Sequence, residues 1–243
     1  MPYGPLFAKL AAVADLTQSD VHSLVRLSER ERIVRSKADI LPEGERPEHV
    51  HLILEGWAAR YKTLGNGSRQ IVAMLIPGDF CDLQVSILGH MDHGIAALTP
   101  CRIACIPRGR LDALISSQTE LMKAFWWATL FDESVSRAWI LNIGRRSAYE
   151  RVAHLLCELH ARLALVGLVG KNGLALPLTQ EQLAEASGLT TVHVNRTLKR
   201  LRDENLLHIR NRMIEVIDIG LLCEAAGFNG DYLQIKRGVE TAH

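Results

Sequence analysis

Residues 178–206 of this chain read LTQEQLAEASGLTTVHVNRTLKRLRDENL. The spacing predicts two short helices joined by a tight turn, the second one basic. Thr179 is an N-cap and Gln182 stands at the third helical position, which makes a capping box. Leu183, Ala184 and Ala186 give the first helix an apolar side. Gly188 fits the left-handed turn that stops it. Thr190 is the next N-cap, and Val194, Leu198 and Leu201 then recur at helical spacing toward a core. The opposite face carries Thr191, His193, Asn195, Arg196, Lys199, Arg200 and Arg202, with no acid between Thr190 and Arg202. A helix-turn-helix places such a basic second helix in the DNA major groove. A helical hairpin with one solvated basic face is the plainer reading. The doubled caps, the glycine turn and the one-signed face together favour DNA.

The next segment extends the motif. Leu206–Ile209 and Met213–Ile217 are two apolar runs around Arg210-Asn211-Arg212, the pattern of a hairpin. Behind a recognition helix it forms a wing whose tip arginines, Arg210 and Arg212, reach phosphates.

The rest of the chain of 243 residues leaves room for a second domain. Its formal net charge is only +1, so the basic character is local. No apolar run is long enough to cross a membrane, and the N-terminus lacks the pattern of a secretory signal. Five cysteines (Cys81, Cys101, Cys105, Cys157, Cys223) form no CxxC pair, which fits a reducing cytoplasm. Cys101 and Cys105 lie four apart on an expected strand, about 13 Å, too far for a shared metal or a disulfide. No Ser–His–Asp spacing, phosphate loop or HExxH run is present, so an enzyme is not expected.

Three segments precede or join the motif. Residues 1–116 read as an N-terminal helix followed by short strands broken by turn signals, an antiparallel roll of the jelly-roll kind. Residues 117–146 read as one long helix and a hinge at Gly144-Arg145-Arg146-Ser147. Its heptads place Leu121, Ala128, Val135 and Asn142 at one core position and Ala124, Phe131 and Ala138 at the other, a seam suited to pairing two copies. Trp126, Trp127 and Trp139 fall off that seam and are expected to pack on the roll. Residues 147–243 hold the DNA-binding module, opened by Ser147 and Glu150 as a further capping box. The fold class is therefore α+β: an antiparallel sensor roll, a dimerisation helix and a winged helix-turn-helix.

That order resembles the Crp–Fnr family of bacterial transcription regulators across nearly the whole chain. The residues that carry it are Pro42-Glu43-Gly44-Glu45, Leu54-Glu55-Gly56, Pro77-Gly78-Asp79-Phe80, the stretch Gly144–Arg151 and the helix-turn-helix itself. The resemblance implies a cyclic-nucleotide-type roll and a homodimer on a palindromic double-stranded DNA site, with RNA polymerase as a protein partner. Half-sites would lie about one helical turn apart. The alternative function is a nucleotide-type ligand-binding module that signals to a protein partner.

Two departures from the family matter. Cyclic-AMP binders follow the Gly-Asp-Phe turn with Gly-Glu-Leu and, later, an Arg that holds the cyclic phosphate. Here the chain reads Cys81-Asp82-Leu83-Gln84, and no Arg or Lys occurs between Arg69 and Arg102. A buried phosphate without a cation is poorly compensated, so cyclic AMP is not expected. The effector pocket is assigned to Cys81, Asp82, Leu83, Gln84 and His93, with Cys81 as the thiol to test for redox sensitivity. A polar or metal-binding grouping of Asp82, His90, Asp92 and His93 is the lesser alternative; no metal site is assigned. The family's oxygen sensors hold an iron–sulfur cluster on N-terminal cysteines, and none precedes Cys81, so no cofactor is expected. In the recognition helix, Arg196 matches the family's guanine-reading Arg, while Val192 stands where the family has Glu. Base contacts are expected from Arg196, Asn195, Val192, Thr191 and His193. Phosphate contacts are expected from Thr179, Thr190, Lys199, Arg200, Arg210 and Arg212.

Overall fold

The computed structural model describes residues 2–28, 30–169, 174–210 and 213–234. Two helices lead, α1 (Gly4–Ala11) and α2 (Gln18–Leu27). Thr17 caps α2 reciprocally with Asp20. Seven strands follow: β1 (Arg30–Val34), β2 (Asp39–Leu41), β3 (His49–Glu55), β4 (Ala58–Thr63), β5 (Arg69–Leu75), β6 (Gly94–Ala97) and β7 (Cys101–Pro107). The one-turn helix α3 (Val85–Leu88) lies between β5 and β6. They build two antiparallel sheets, ordered β1-β7-β3 and β2-β6-β4-β5. Val34, Ile53 and Ile103 of the first share a core with Ile40, Ala58, Leu75 and Ile95 of the second. This is the expected roll. Strand β7 is central in its sheet, and β3 beside it is buried from Val50 to Leu54, which fits its apolar run.

Helix α4 (Arg108–Ser117) leads to the 27-residue helix α5 (Thr119–Arg145). Gly144 is helical, so the hinge is narrower than Gly144–Ser147: the break is the extended Arg146 followed by the Ser147 cap. The Ser147–Glu150 capping box then starts α6 (Ala148–Leu165). Arg151 fixes the corner. Its guanidinium donates to the carbonyls of Ile143 (2.8 Å) and Arg146 (3.1 Å) on one side and of Ser187 (2.9 Å) on the other.

The C-terminal half adds β8 (Leu174–Leu176), α7 (Gln180–Ser187), α8 (Thr191–Asp203), β9 (Leu207–Arg210), β10 (Met213–Val216), α9 (Ile219–Ala226) and a 3-10 turn (Gly230–Leu233). The wing hairpin β9–β10 is present, and β8 extends it to a three-stranded sheet ordered β8-β10-β9. One apolar core runs from Ile71, Met74 and Leu98 of the roll, through Phe131, Val135 and Trp139 of α5, into α6, α7 and α8. The two halves are thus packed together rather than tethered.

The packing of α5 overturns the heptad seam. Leu121, Ala124, Ala128, Phe131, Val135 and Asn142 are buried inside their own protomer, and Ala138 is half-buried. A helix with apolar residues on two sides offers two candidate seams, and this one is covered by the roll and α6. The exposed side instead carries Met122, Trp126, Leu130, Ile140 and Leu141. The tryptophans divide accordingly. Trp139 is buried and donates to Glu158 of α6, Trp127 packs on Phe131, and Trp126 is 64% exposed rather than set against the roll.

Candidate nucleic-acid interface

The local signals of the helix-turn-helix are realised atom by atom. The Thr179 hydroxyl accepts from the Gln182 N–H (3.2 Å) while the Gln182 side chain accepts from the Thr179 N–H (2.9 Å). Gly188 ends α7 in the left-handed region at φ +61. Thr190 caps α8 by accepting from the His193 N–H. Val194, Leu198 and Leu201 are buried, which turns the other side of α8 outward.

That outward side places Thr191, Val192, His193, Asn195, Arg196, Lys199 and Arg200 on one exposed surface, with Val192 65% exposed. Asn195 Nδ2 bonds Gln180 Oε1 at 3.2 Å, which links the two helices at the reading surface. Among the described residues Arg196, Lys199 and Arg202 have no carboxylate partner. Arg200 differs: its Nε lies 2.8 Å from Glu204 Oε1 and its guanidinium stacks 4.2 Å above the Tyr149 ring. A phosphate contact from Arg200 therefore competes with Glu204. Thr179 and Thr190 are exposed, with their hydroxyls engaged in the caps. Arg210 is exposed at the end of β9; Arg212 lies outside the described residues.

The five residues assigned to an effector pocket differ in their surroundings. Leu83 lines a largely apolar cavity of about 350 Å³ with Ile87, Phe125 and Trp126. Cys81 is fully buried, and burial pushes its thiol well above the ordinary range, so it is not an activated thiol. Asp82 is buried and bound twice to His51, through the backbone N–H (2.7 Å) and the ring Nδ1 (2.8 Å). Gln84 sits before α3. His93 bonds Asp92 at 2.7 Å, and its Nε2 is buried without a partner among the described residues. No group of three or more His, Cys, Asp or Glu among the described residues is placed to hold a metal ion.

Two buried charged groups tie the roll to the helices, and neither was visible from local spacing. Arg60 of β4 enters between roll and long helix. It donates to Cys81 O (3.0 Å), Phe80 O (2.9 Å) and Asp132 of α5 (2.8 Å). Arg162 of α6 reaches back to Asp79 (2.7 Å) and to Met74 O (2.8 Å) in the roll. Asp79 also accepts from Lys9 of α1 at 2.7 Å. Burial opposes the Asp79 charge, and the neighbouring Lys9 and Arg162 more than offset it, holding its carboxyl below the usual range. Glu158 completes the group, accepting from Trp139 Nε1 (3.0 Å) and Tyr232 (2.8 Å). Gly78 lets α1 approach this turn: at φ +92 its position faces Pro5 backbone where a Cβ would stand 2.8 Å away.

The comparisons agree with this arrangement. Residues 31–118 match the cyclic nucleotide-binding domain and residues 150–225 the Crp-like helix-turn-helix domain. The transcriptional activatory protein AadR of Rhodopseudomonas palustris is 30% identical over 210 residues, covering 86% of both chains. The nitrogen fixation regulation protein FixK of Bradyrhizobium diazoefficiens is 33% identical over 168 residues, 68% of this chain and 69% of its own. The solved structure of FixK2 from Bradyrhizobium japonicum superposes with a TM-score of 0.74 at 25% identity, covering 82% of this chain and 98% of FixK2.

Proposed function

The chain belongs to the Crp–Fnr family of transcription regulators, and from that premise we propose that it works in the cytoplasm as a homodimer reading a palindromic operator through α8. The observation that carries this is the face of α8: seven polar or readable residues point out while Val194, Leu198 and Leu201 anchor the helix behind them. Arg196, free of any carboxylate among the described residues, gives the bidentate contact to guanine. Val192 offers only an apolar surface, which suits a thymine methyl. Lys199 and Arg210 take phosphates, which set register rather than sequence.

The dimer seam is the open side of α5. Met122, Trp126 and Leu130 form its apolar part beside the 350 Å³ cavity. Ile140 and Leu141 continue it toward the corner, and Glu133 and Arg137 lie between, 2.6 Å apart. Two copies joined there present two α8 helices to half-sites about one helical turn apart. The relative AadR is named a transcriptional activatory protein, and RNA polymerase is the partner that activation requires.

The roll is proposed to work without cyclic AMP. Arg60 of β4 reaches the Gly-Asp-Phe turn, but its guanidinium nitrogens are already bonded to Phe80, Cys81 and Asp132. A phosphate entering there would have to break the Arg60–Asp132 pair.

Selection of genomic fragments by the purified protein, with and without cyclic AMP, tests the reading. An enriched palindrome that is unchanged by cyclic AMP is expected. Failure to enrich any site removes the regulator function; enrichment only with cyclic AMP overturns the reading of the roll.

A further inference from the structure

Between the second half of α5, the α5–α6 corner and the Gly230–Leu233 turn lies a cavity of about 470 Å³ that DNA reading does not use. Arg137, Leu141, Arg146, His154, Asp231 and Tyr232 are among the residues lining it. Two polar atoms of these residues are buried without a partner among the described residues: Nη1 of Arg146 and Nδ1 of His154. Native proteins rarely leave such atoms unpaired, and one explanation of an orphan is an absent occupant. His154 cannot swing out to find water. It is 2% exposed, stacked 5.9 Å from the Tyr232 ring and met edge-on by Phe228 at 5.0 Å.

The charges around the cavity narrow the chemistry. Arg146 has no carboxylate partner among the described residues. Arg137 is held to Glu133 at 2.6 Å through one guanidinium nitrogen and to Ser134 Oγ at 2.8 Å through the other, so it stays at the rim and is not counted as a donor. Burial first, and then the Arg146 charge, push the His154 pKa down to about 4, so its ring is neutral at pH 7 and Nδ1 can carry one hydrogen. Asp231, which accepts from Asn229 at 2.9 Å, adds one carboxylate to the lining. An occupant with a single anionic group suits this balance better than a polyanion.

We infer that this cavity binds a small oxyanion, the carboxylate or phosphate of a metabolite, with Arg146 Nη1 and His154 Nδ1 as its donors. Bound there, it touches α5, the corner and α6 at once. It thereby fixes the angle at which α6 carries α7 and α8, and so acts as an effector away from the roll. This regulatory consequence rests on the reading of the chain as a DNA-binding regulator; the binding itself does not.

The full-length protein is titrated with sodium acetate and, separately, with inorganic phosphate, at constant ionic strength set with chloride. The His154 ring resonance and the melting temperature are followed. A saturable response to acetate assigns a carboxylate ligand, and one to phosphate assigns a phosphate ester. Loss of one charge-assisted hydrogen bond in Arg146→Gln should weaken the response about tenfold. Arg196→Ala should leave it unchanged, which separates the cavity from the DNA face. If Arg146→Gln does not fold by circular dichroism, Arg146→Lys, which keeps the charge without the fork, should bind several-fold more weakly than the parent. No saturable response to either anion, or an equal response in the Arg146 variant, overturns the inference. DNA binding is measured in parallel on a fragment recovered by genomic selection. Anion binding without DNA binding would leave the site standing and remove the regulator reading, and the opposite result would do the reverse.

Discussion

Helices α8 and α5 are both amphipathic by pattern, yet only one of them can be read from the pattern alone. In α8 the apolar residues lie on one side and the charges on the other, so one face is buried and the other open by necessity. In α5 both sides are apolar. Leu121, Phe131 and Val135 line one, and Met122, Trp126 and Leu130 the other. Helical period states which residues share a face. It does not state which partner covers that face, and α5 has two partners to satisfy: its own roll and a second copy.

What joins the roll to α6, and through it to the DNA-binding half, is the buried group Lys9–Asp79–Arg162–Glu158, and it gives the largest expected effect. Replacing Arg162 by Met leaves Asp79 and Glu158 buried with one cation between them. A loss of about 3–5 kcal/mol in urea-induced unfolding is expected. A variant that melts like the parent would show that the roll and the DNA-binding half are not held together through this residue.

The comparison within α5 breaks cleanly with two substitutions. Leu121→Ala should cost about 2–5 kcal/mol of folding stability, as a core leucine does, with the dimer intact once folded. Trp126→Ala should leave unfolding of the protomer nearly unchanged. It should weaken self-association by about 2 kcal/mol or more, the effect of removing an aromatic anchor from an interface. Analytical ultracentrifugation separates the two. Monomers from Leu121→Ala together with full dimerisation of Trp126→Ala would restore the heptad seam.

The reading of α8 is sharpened at Arg196. Arg196→Ala should cost about 1–3 kcal/mol on the selected operator and relax preference at one base pair, with little change on random DNA. Equal weakening on both would make Arg196 a phosphate contact. Val192→Glu tests the neighbouring position: it should shift base preference at one further pair, detectable by repeating the selection.

The unequal legibility of the molecule follows the range of its signals. Caps are local, so Thr179 with Gln182, Ser147 with Glu150, and Gly188 locate α6, α7 and α8 within a few residues of sequence. The short strands β1, β2, β6 and β8 gave no such signal. Ile33 of β1 is even 82% exposed, because that strand lies at a sheet edge with one side in water. The partners of the residues assigned to the pocket were hidden for the same reason at longer range. Asp82 finds His51, 31 positions away, and Arg162 finds Asp79 across 83. Nothing in the spacing of either residue announces its partner. Spacing does not announce Arg60 either, because β4 brings it to the Gly-Asp-Phe turn from the adjoining sheet.

The smallest effect tests whether α8 depends on its own cap or on its packing. Thr190 accepts from the His193 N–H at 3.3 Å and touches the His193 ring at 3.1 Å. Thr190→Ala removes both contacts while leaving Val194, Leu198 and Leu201 in the core. A loss of about 1 kcal/mol is expected from the missing cap. Because His193 is also freed, operator affinity should fall slightly more than stability accounts for. Thr190→Ser, which keeps the acceptor, should restore both. If stability drops with Thr190→Ala and affinity does not, His193 has no part in reading DNA, and the base-reading face of α8 narrows to Thr191, Val192, Asn195 and Arg196.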